Sequence, residues 1–142
     1  MKLNNLLIVT CISFATALSV ASCKKSSSGS KIVGTWNLTQ VAQDVNGNSV
    51  MDASEVQNVS GLGTGTLIFN SDGTGSEHVV FYGGLVDSSV TFKKWVLQNG
   101  DQDIVITASD GRTMLSHVTL TSTDLTVADT SNPITWTIWK KK

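Results

Sequence analysis

The sequence contains very little cysteine and proline, and its two cysteines, Cys11 and Cys23, both lie near the start of the 142-residue chain. Beyond Cys23, the absence of thiols excludes an internal disulfide and a cysteine nucleophile. The single proline, Pro133, argues against a proline-rich disordered chain. We therefore expect one globular domain whose stability comes from a hydrophobic core.

Charge of either sign is also scarce, with a formal net charge of -1 and Arg112 as the only arginine. This balance gives no electrostatic reason to expect a nucleic-acid partner. Catalytic patterns are missing too: there is no G-x-S-x-G motif, and the two histidines, His78 and His117, lack the spacing of a metal pair. Asp101 and Asp103 flank a turn, where solvated carboxylates are common and do not indicate a catalytic pair. We predict a protein that is not an enzyme.

The first 22 residues have the composition of a signal peptide. Lys2 precedes a 15-residue apolar run over residues 6–20, which is too short to cross a bilayer comfortably. The run ends in Val20-Ala21-Ser22-Cys23, which resembles the lipobox of bacterial lipoproteins. That resemblance implies cleavage after residue 22 and acylation of Cys23.

The residues after Cys23 are typical of a flexible tether, which we place at 23–30. Lys24 is not acidic, so the lipoprotein resemblance implies delivery to the outer membrane rather than retention in the inner membrane. We expect a monomer attached to the cell envelope by this lipid anchor.

Residues 31–142 are rich in Thr, Ser, Val and Gly, a balance that favours β structure. Turn dipeptides such as Asp72-Gly73, Asn99-Gly100 and Asp110-Gly111 separate short apolar runs. We predict eight strands, at residues 33–41, 66–70, 76–82, 90–97, 104–108, 114–121, 125–127 and 134–139. With no crossover helices, these strands indicate an all-β antiparallel meander that closes as an eight-stranded β-barrel, with a β-sandwich as the alternative.

Alternation within the strands predicts which side chains share a face. Trp36 shares a face of the first strand with Leu38 and Gln40, and we expect it to plug one end of the barrel. In the fourth strand Trp95 falls on a face that Phe92 does not share, which indicates a β-bulge between them.

The segments Gly34-Thr35-Trp36-Asn37-Leu38 and 69–75 (FNSDGTG) resemble the lipocalin-like domains of small lipoproteins from Gram-negative bacteria. The resemblance covers roughly residues 31–140. It implies a barrel that binds a small hydrophobic molecule. Two further lipocalin signatures, an aromatic-rich turn and a late arginine against the first tryptophan, are not visible in the sequence.

Four aromatic residues are our candidates for lining a ligand site inside the barrel: Phe69, Phe81, Trp95 and Trp136. They would either contact a small apolar ligand or fill a dry core. Two alternatives to ligand binding in the barrel stay open. One is a module that binds a glycan or a protein through exposed aromatic residues, Tyr82 or Trp139, and the other is a structural envelope lipoprotein.

The segment from Asp44 to Glu55 resembles the twelve-residue EF-hand loop and is our candidate calcium site. Its oxygen ligands would come from alternating positions, as they do where a chain curls around a hard cation. The candidate ligands are Asp44, Asn46, Asn48, the backbone carbonyl of Val50, Asp52 and Glu55. Position six holds Ser49 where the EF-hand family has glycine, and two Asn ligands lower the negative charge. The alternative is a polar hairpin loop.

Overall fold

A computed structural model describes residues 27–142. The predicted signal peptide and Cys23 lie outside the described residues. One short helix, α1 (Ser27–Ile32), occupies the end of the segment that we predicted as a tether. None of the helices within residues 27–142 is long and apolar enough to cross a membrane.

Nine strands follow α1. They are β1 (Gly34–Gln43), β2 (Val56–Asn58), β3 (Gly63–Phe69), β4 (Gly75–Phe81), β5 (Val86–Gln98), β6 (Asp103–Ala108), β7 (Thr113–Leu120), β8 (Asp124–Asp129) and β9 (Thr135–Lys141). Each strand from β3 to β9 pairs antiparallel with the next, β3 also pairs with β1, and β9 pairs with β1. The predicted eight-stranded antiparallel barrel is therefore confirmed.

The extra strand, β2, extends one edge of β1. β1 pairs with β3 through its first residues, up to Asn37, and with β2 through Gln40 to Ala42. We did not predict β2, because the strand has only three residues and follows a long polar loop. Its effect is to tie the segment after that loop to the barrel wall.

A β-bulge in β1 changes which residues face the interior. The pairing of β1 with β9 shifts between Leu38 and Gln40. Trp36 and Leu38 belong to the core, as predicted, but after the bulge it is Val41 that packs against the core. The predicted inward position of Gln40 was wrong because an extra residue at a bulge reverses the alternation that follows it.

The bulge that we predicted in the fourth strand, β5, is present. Its pairing with β6 shifts between Phe92 and Lys94. The shift allows Phe92, Trp95 and Leu97 to contact the same core.

Two glycines on the inner wall make room for aromatic rings. A Cβ added at Gly75 would lie 2.2 Å from the Phe92 ring and 2.1 Å from the backbone oxygen of Ile68. At Gly63, a Cβ would lie 2.4 Å from the Phe81 ring. These rings lie directly over the strand backbone, which explains why the sequence has glycine within β-strands.

One end of the barrel is closed by Trp36, which is completely buried. The Trp36 Nε1–H donates to the Ile32 carbonyl oxygen over 2.8 Å, so α1 is fixed beneath the barrel. The Lys141 ammonium lies 5.2 Å from the centre of the Trp36 ring and donates to the Lys31 carbonyl oxygen over 2.7 Å. Lys141 thus provides the late cation against the first tryptophan that we had looked for only as an arginine.

Candidate functional site in the barrel interior and at its mouth

The barrel encloses a cavity of about 100 Å³. Nine of its twelve lining residues are apolar, and the other three are Glu77, Ser116 and Thr137. The apolar wall includes Phe69 from β3 and Trp139 from β9, both almost fully buried. Because most of the interior is filled by side chains, this cavity fits only a molecule smaller than benzene, which a cavity of about 150 Å³ accommodates.

Glu77 is the only ionisable residue that lines this cavity. It lies on β4 opposite Leu67 of β3 and Val90 of β5, two residues of the core and its margin. Burial raises the pKa of the Glu77 carboxyl group, and among residues 27–142 no hydrogen bond or ion pair to that group offsets the burial. The cavity wall therefore contains one half-buried carboxyl group without a partner among the described residues.

Our sequence analysis missed Glu77, although a signal for it was present. Val79 and Phe81 lie two and four residues further along β4 and pack against the core. Because side chains alternate along a strand, Glu77 has to point to the same side as these two residues.

A larger groove of about 640 Å³ lies at the other end of the barrel from Trp36. It is bounded by the end of β1, the start of β9, β2 and the loop between β1 and β2, including Gln43, Glu55, Gln57 and Thr135. Thr137 lines both this groove and the interior cavity. The groove is therefore at the mouth of the barrel, next to the interior cavity, and we call it the mouth groove.

The four predicted aromatic residues do not form one site. The ring centres of Phe69 and Trp95 are 5.5 Å apart in an edge-to-face contact near the closed end. The Trp95 Nε1–H donates to the Thr74 carbonyl oxygen over 3.1 Å, so its polar edge is satisfied by the hairpin between β3 and β4. Phe81 packs over Gly63, and only Phe69 of the four borders the interior cavity.

The structure corrects the placement of Trp136. It pairs with Ala42 and Ala128, stays outside the core cluster and borders the mouth groove, whereas Trp139 is inside the barrel. Ile134 and Trp136 share one face at the start of β9. Outside the barrel, these two residues line a cleft together with Met51 of the loop from Asp44 to Glu55.

The loop from Asp44 to Glu55 is held together by its own carboxylates. The Asp44 Oδ1 atom accepts the backbone N–H groups of Gly47 over 2.7 Å and of Asn48 over 3.2 Å, and its Oδ2 atom accepts the N–H group of Ser49 over 2.9 Å. Asp44 is buried, so these bonds satisfy a carboxylate that has lost most of its water.

The other polar side chains of the loop also converge. The Glu55 Oε1 atom accepts the N–H group of Val45 over 2.9 Å. The Asp52 Oδ2 atom accepts the side-chain amides of Asn46 over 2.8 Å and of Asn48 over 2.9 Å. Five of the six predicted calcium ligands therefore take part in one hydrogen-bonded cluster.

The calcium site stays a prediction. Within residues 27–142, no group of three or more Asp, Glu, His or Cys side chains is arranged to hold a metal ion. Ser49, at the sixth position of the loop, has a φ of 60°, the left-handed conformation that glycine adopts in EF-hand loops.

The two histidines are exposed, and each is paired with an aspartate: Asp87 is exposed, whereas Asp103 is buried. His78 Nε2 lies 2.9 Å from Asp87 Oδ1, and His117 pairs with Asp103. Hydrogen bonds from Asn99 and then from His117 lower the pKa of the Asp103 carboxyl group. These pairs belong to different strands, and neither contains a nucleophile.

A family model described as a lipocalin-like domain matches residues 32–127, well over half of the chain. Neither a curated protein nor a solved structure matches the chain. The matched region includes β1 through most of β8, with Trp36, Glu77 and the loop from Asp44 to Glu55.

Proposed function

Because this chain belongs to the lipocalin-like domain family, we propose that it binds a small hydrophobic molecule through the mouth of its barrel. The observation that carries the proposal is the mouth groove of about 640 Å³, next to the interior cavity that Thr137 also borders. Grooves of this volume are typical of small-molecule sites. Trp136 and Val41 supply apolar surface there, while Gln43 and Gln57 supply hydrogen-bonding groups.

Mass spectrometry of molecules that copurify with the full chain, after incubation with a bacterial lipid extract, tests the proposal. We expect a defined small apolar compound to be retained by the wild type. Thr135→Trp should reduce its retention, because Thr135 lines the mouth groove. The matched control is Ser89→Trp, an exposed position on the outer face of β5. A wild type that retains no compound would contradict the proposal and leave a purely structural role in the envelope.

We also propose that the protein is a lipoprotein of the outer membrane. The support comes from the sequence, in which an apolar run ends in Val20-Ala21-Ser22-Cys23 and Lys24 follows. Several acyl chains on Cys23 would anchor the protein stably, whereas one chain anchors only marginally. Cys23→Ser should release the protein from the membrane fraction, and Ser22→Ala should leave it there. Equal membrane association of Cys23→Ser and wild type would rule out the lipid anchor.

A second candidate function is docking of a glycan or a protein at the turn between β4 and β5. Tyr82 is 64% exposed and Leu85 is 87% exposed, next to the exposed Val86. Trp139, our other aromatic candidate for this role, is buried in the core. On a glycan array, Tyr82→Ser should then abolish binding while leaving retention of the hydrophobic compound unchanged.

A further inference from the structure

We propose that the interior cavity binds the primary ammonium group of a small amine, with the Glu77 carboxylate as its counter-ion. This inference rests on the proposed function, because it names the ligand chemistry of the deepest part of the same barrel. The inference concerns only the part of the ligand that enters the interior cavity. It does not assign the part that would lie in the mouth groove.

The first argument is charge. Glu77 lies among apolar side chains, and the residues that line the cavity with it include no lysine, arginine or histidine. Glu77 is half-buried, and even partial burial of a carboxylate costs free energy unless a cation or hydrogen-bond donors compensate for the water that is lost. Because residues 27–142 provide neither for Glu77, a ligand that brings its own positive charge would gain the most from this position.

The second argument is the number of hydrogen-bond acceptors. A primary ammonium group has three N–H donors. The cavity is lined by three side chains with acceptor oxygens, Glu77, Ser116 and Thr137, although the Thr137 Oγ1 atom already accepts the Trp139 Nε1–H over 2.9 Å. A quaternary ammonium group would leave the Glu77 and Ser116 acceptors unused, and a carboxylate would be repelled by Glu77.

The third argument is size. The cavity of about 100 Å³ is lined mainly by apolar residues such as Leu67, Leu125 and Val127. Scaled from benzene in a cavity of about 150 Å³, it fits a group of about four heavy atoms. An ammonium with a short alkyl chain matches both this volume and this apolar wall.

The test is an NMR titration of the full chain in detergent with three probes of four heavy atoms each: n-propylamine, 1-propanol and acetate. It is run at pH 8, where the amine is charged and which lies above the ordinary glutamate pKa of 4.5. We expect the amine to bind at least about tenfold more tightly than the alcohol, since a hydrogen bond to a charged group contributes about 1.5–3 kcal/mol. Acetate should not bind measurably.

Glu77→Gln retains the size of the side chain and removes its charge, so it should abolish the preference for the amine. Asp87→Asn removes one negative charge from the neighbouring strand β5, outside the cavity, and should retain the preference. Circular dichroism of both variants checks that they fold.

Equal affinity of the amine and the alcohol for the wild type would overturn the inference, as would an unchanged preference in Glu77→Gln. If none of the probes shifts resonances of cavity residues, water alone occupies the space and the inference fails. These failures leave the proposed function intact as long as a hydrophobic compound still copurifies with the wild type. If no compound copurifies but the amine binds as expected, the proposed function fails and the cavity assignment remains.

Discussion

The two ends of the barrel are built differently. At the closed end, Trp36 and Ile32 are completely buried, and the Lys141 side chain joins them to the last strand. At the mouth, Tyr82 and Leu85 are exposed, and a polar loop borders a groove of about 640 Å³. The closed end therefore contributes more buried apolar surface, which is the main source of stability.

This difference separates stability from binding. A side chain at the closed end already has its partners, so its removal leaves a hole in a packed core. An exposed side chain at the mouth, such as Tyr82, loses few contacts on mutation and is accessible to a ligand. The largest effects of mutation on folding should therefore occur at the closed end, and effects on binding should occur at the mouth.

Trp36→Ala should have the largest effect, lowering the free energy of unfolding by about 3–5 kcal/mol. The reason is the loss of a completely buried indole together with its hydrogen bond to Ile32. Tyr82→Ala at the mouth is the matched control and should change stability by less than about 0.5 kcal/mol, as surface substitutions do. Urea denaturation measures both. Equal destabilisation by the two variants would remove the distinction between the ends.

Gly75→Ala should have the next largest effect, a loss of about 1–3 kcal/mol. The added methyl group would meet the Phe92 ring and the Ile68 carbonyl oxygen, so the aromatic packing over β4 would have to shift. Ser76→Ala, one residue further along β4, is the control and should be nearly neutral. A Gly75→Ala variant as stable as the wild type would show that the Phe92 ring and the backbone near Gly75 can move aside at little cost in free energy.

The strand order could be predicted from the sequence, because turn dipeptides and alternation are local signals. Asp72-Gly73 identified the hairpin between β3 and β4, where Gly73 has a φ of 89°. The face of β9 could not be predicted in the same way. Trp136 and Trp139 fall on opposite faces, and the choice between them depends on the Asp44–Glu55 loop, which covers the outer wall from far away in the sequence.

The candidate site was less predictable than the fold. We selected aromatic residues as ligand contacts, but two of them have partners within the protein. The Trp95 Nε1–H donates to the β3–β4 hairpin, and the Phe81 ring packs over Gly63. Glu77 was missed because a single acidic residue in a strand is usually assigned to the solvent face. Its alternation with Val79 and Phe81 already pointed to the interior, and the cross-strand neighbours of Glu77 confirm it.

The loop at the mouth allows a smaller effect to be measured. If Asp44 to Glu55 bind calcium with a dissociation constant of about 10⁻⁴–10⁻³ M, as extracellular modules do, about 1 mM calcium would stabilise the protein by about 0.4–1.4 kcal/mol. We expect a corresponding rise in melting temperature and a binding heat by calorimetry. Glu55→Gln should abolish both, and Asp129→Asn, at the end of β8 near the mouth, should abolish neither. The absence of binding heat at millimolar calcium would exclude the site.

The smallest expected effect is on the pH dependence of the unfolding free energy. It comes from Glu77, which lines the cavity between the closed end and the mouth of the barrel. Burial raises the pKa of this carboxyl group above its ordinary value of 4.5. The folded state therefore holds the proton more tightly than the unfolded state does, so the contribution to stability is complete below the unfolded pKa. It is lost as the pH rises through the folded pKa.

Removing the Glu77 carboxyl group should therefore reduce the decrease in unfolding free energy as the pH rises. The difference in unfolding free energy between Glu77→Gln and wild type should shift in favour of the variant as the pH rises above about 4.5.

Asp103→Asn provides a control of opposite sign, because hydrogen bonds from Asn99 and His117 lower the pKa of the Asp103 carboxyl group. Its native contribution is present above the unfolded pKa and lost as the pH falls, so this variant should lose stability relative to wild type as the pH rises. Denaturation curves from pH 3 to pH 8 measure both differences. Parallel curves for Glu77→Gln and wild type would mean that the Glu77 carboxyl group is as well solvated in the folded state as in the unfolded state, like the exposed side chains at the mouth.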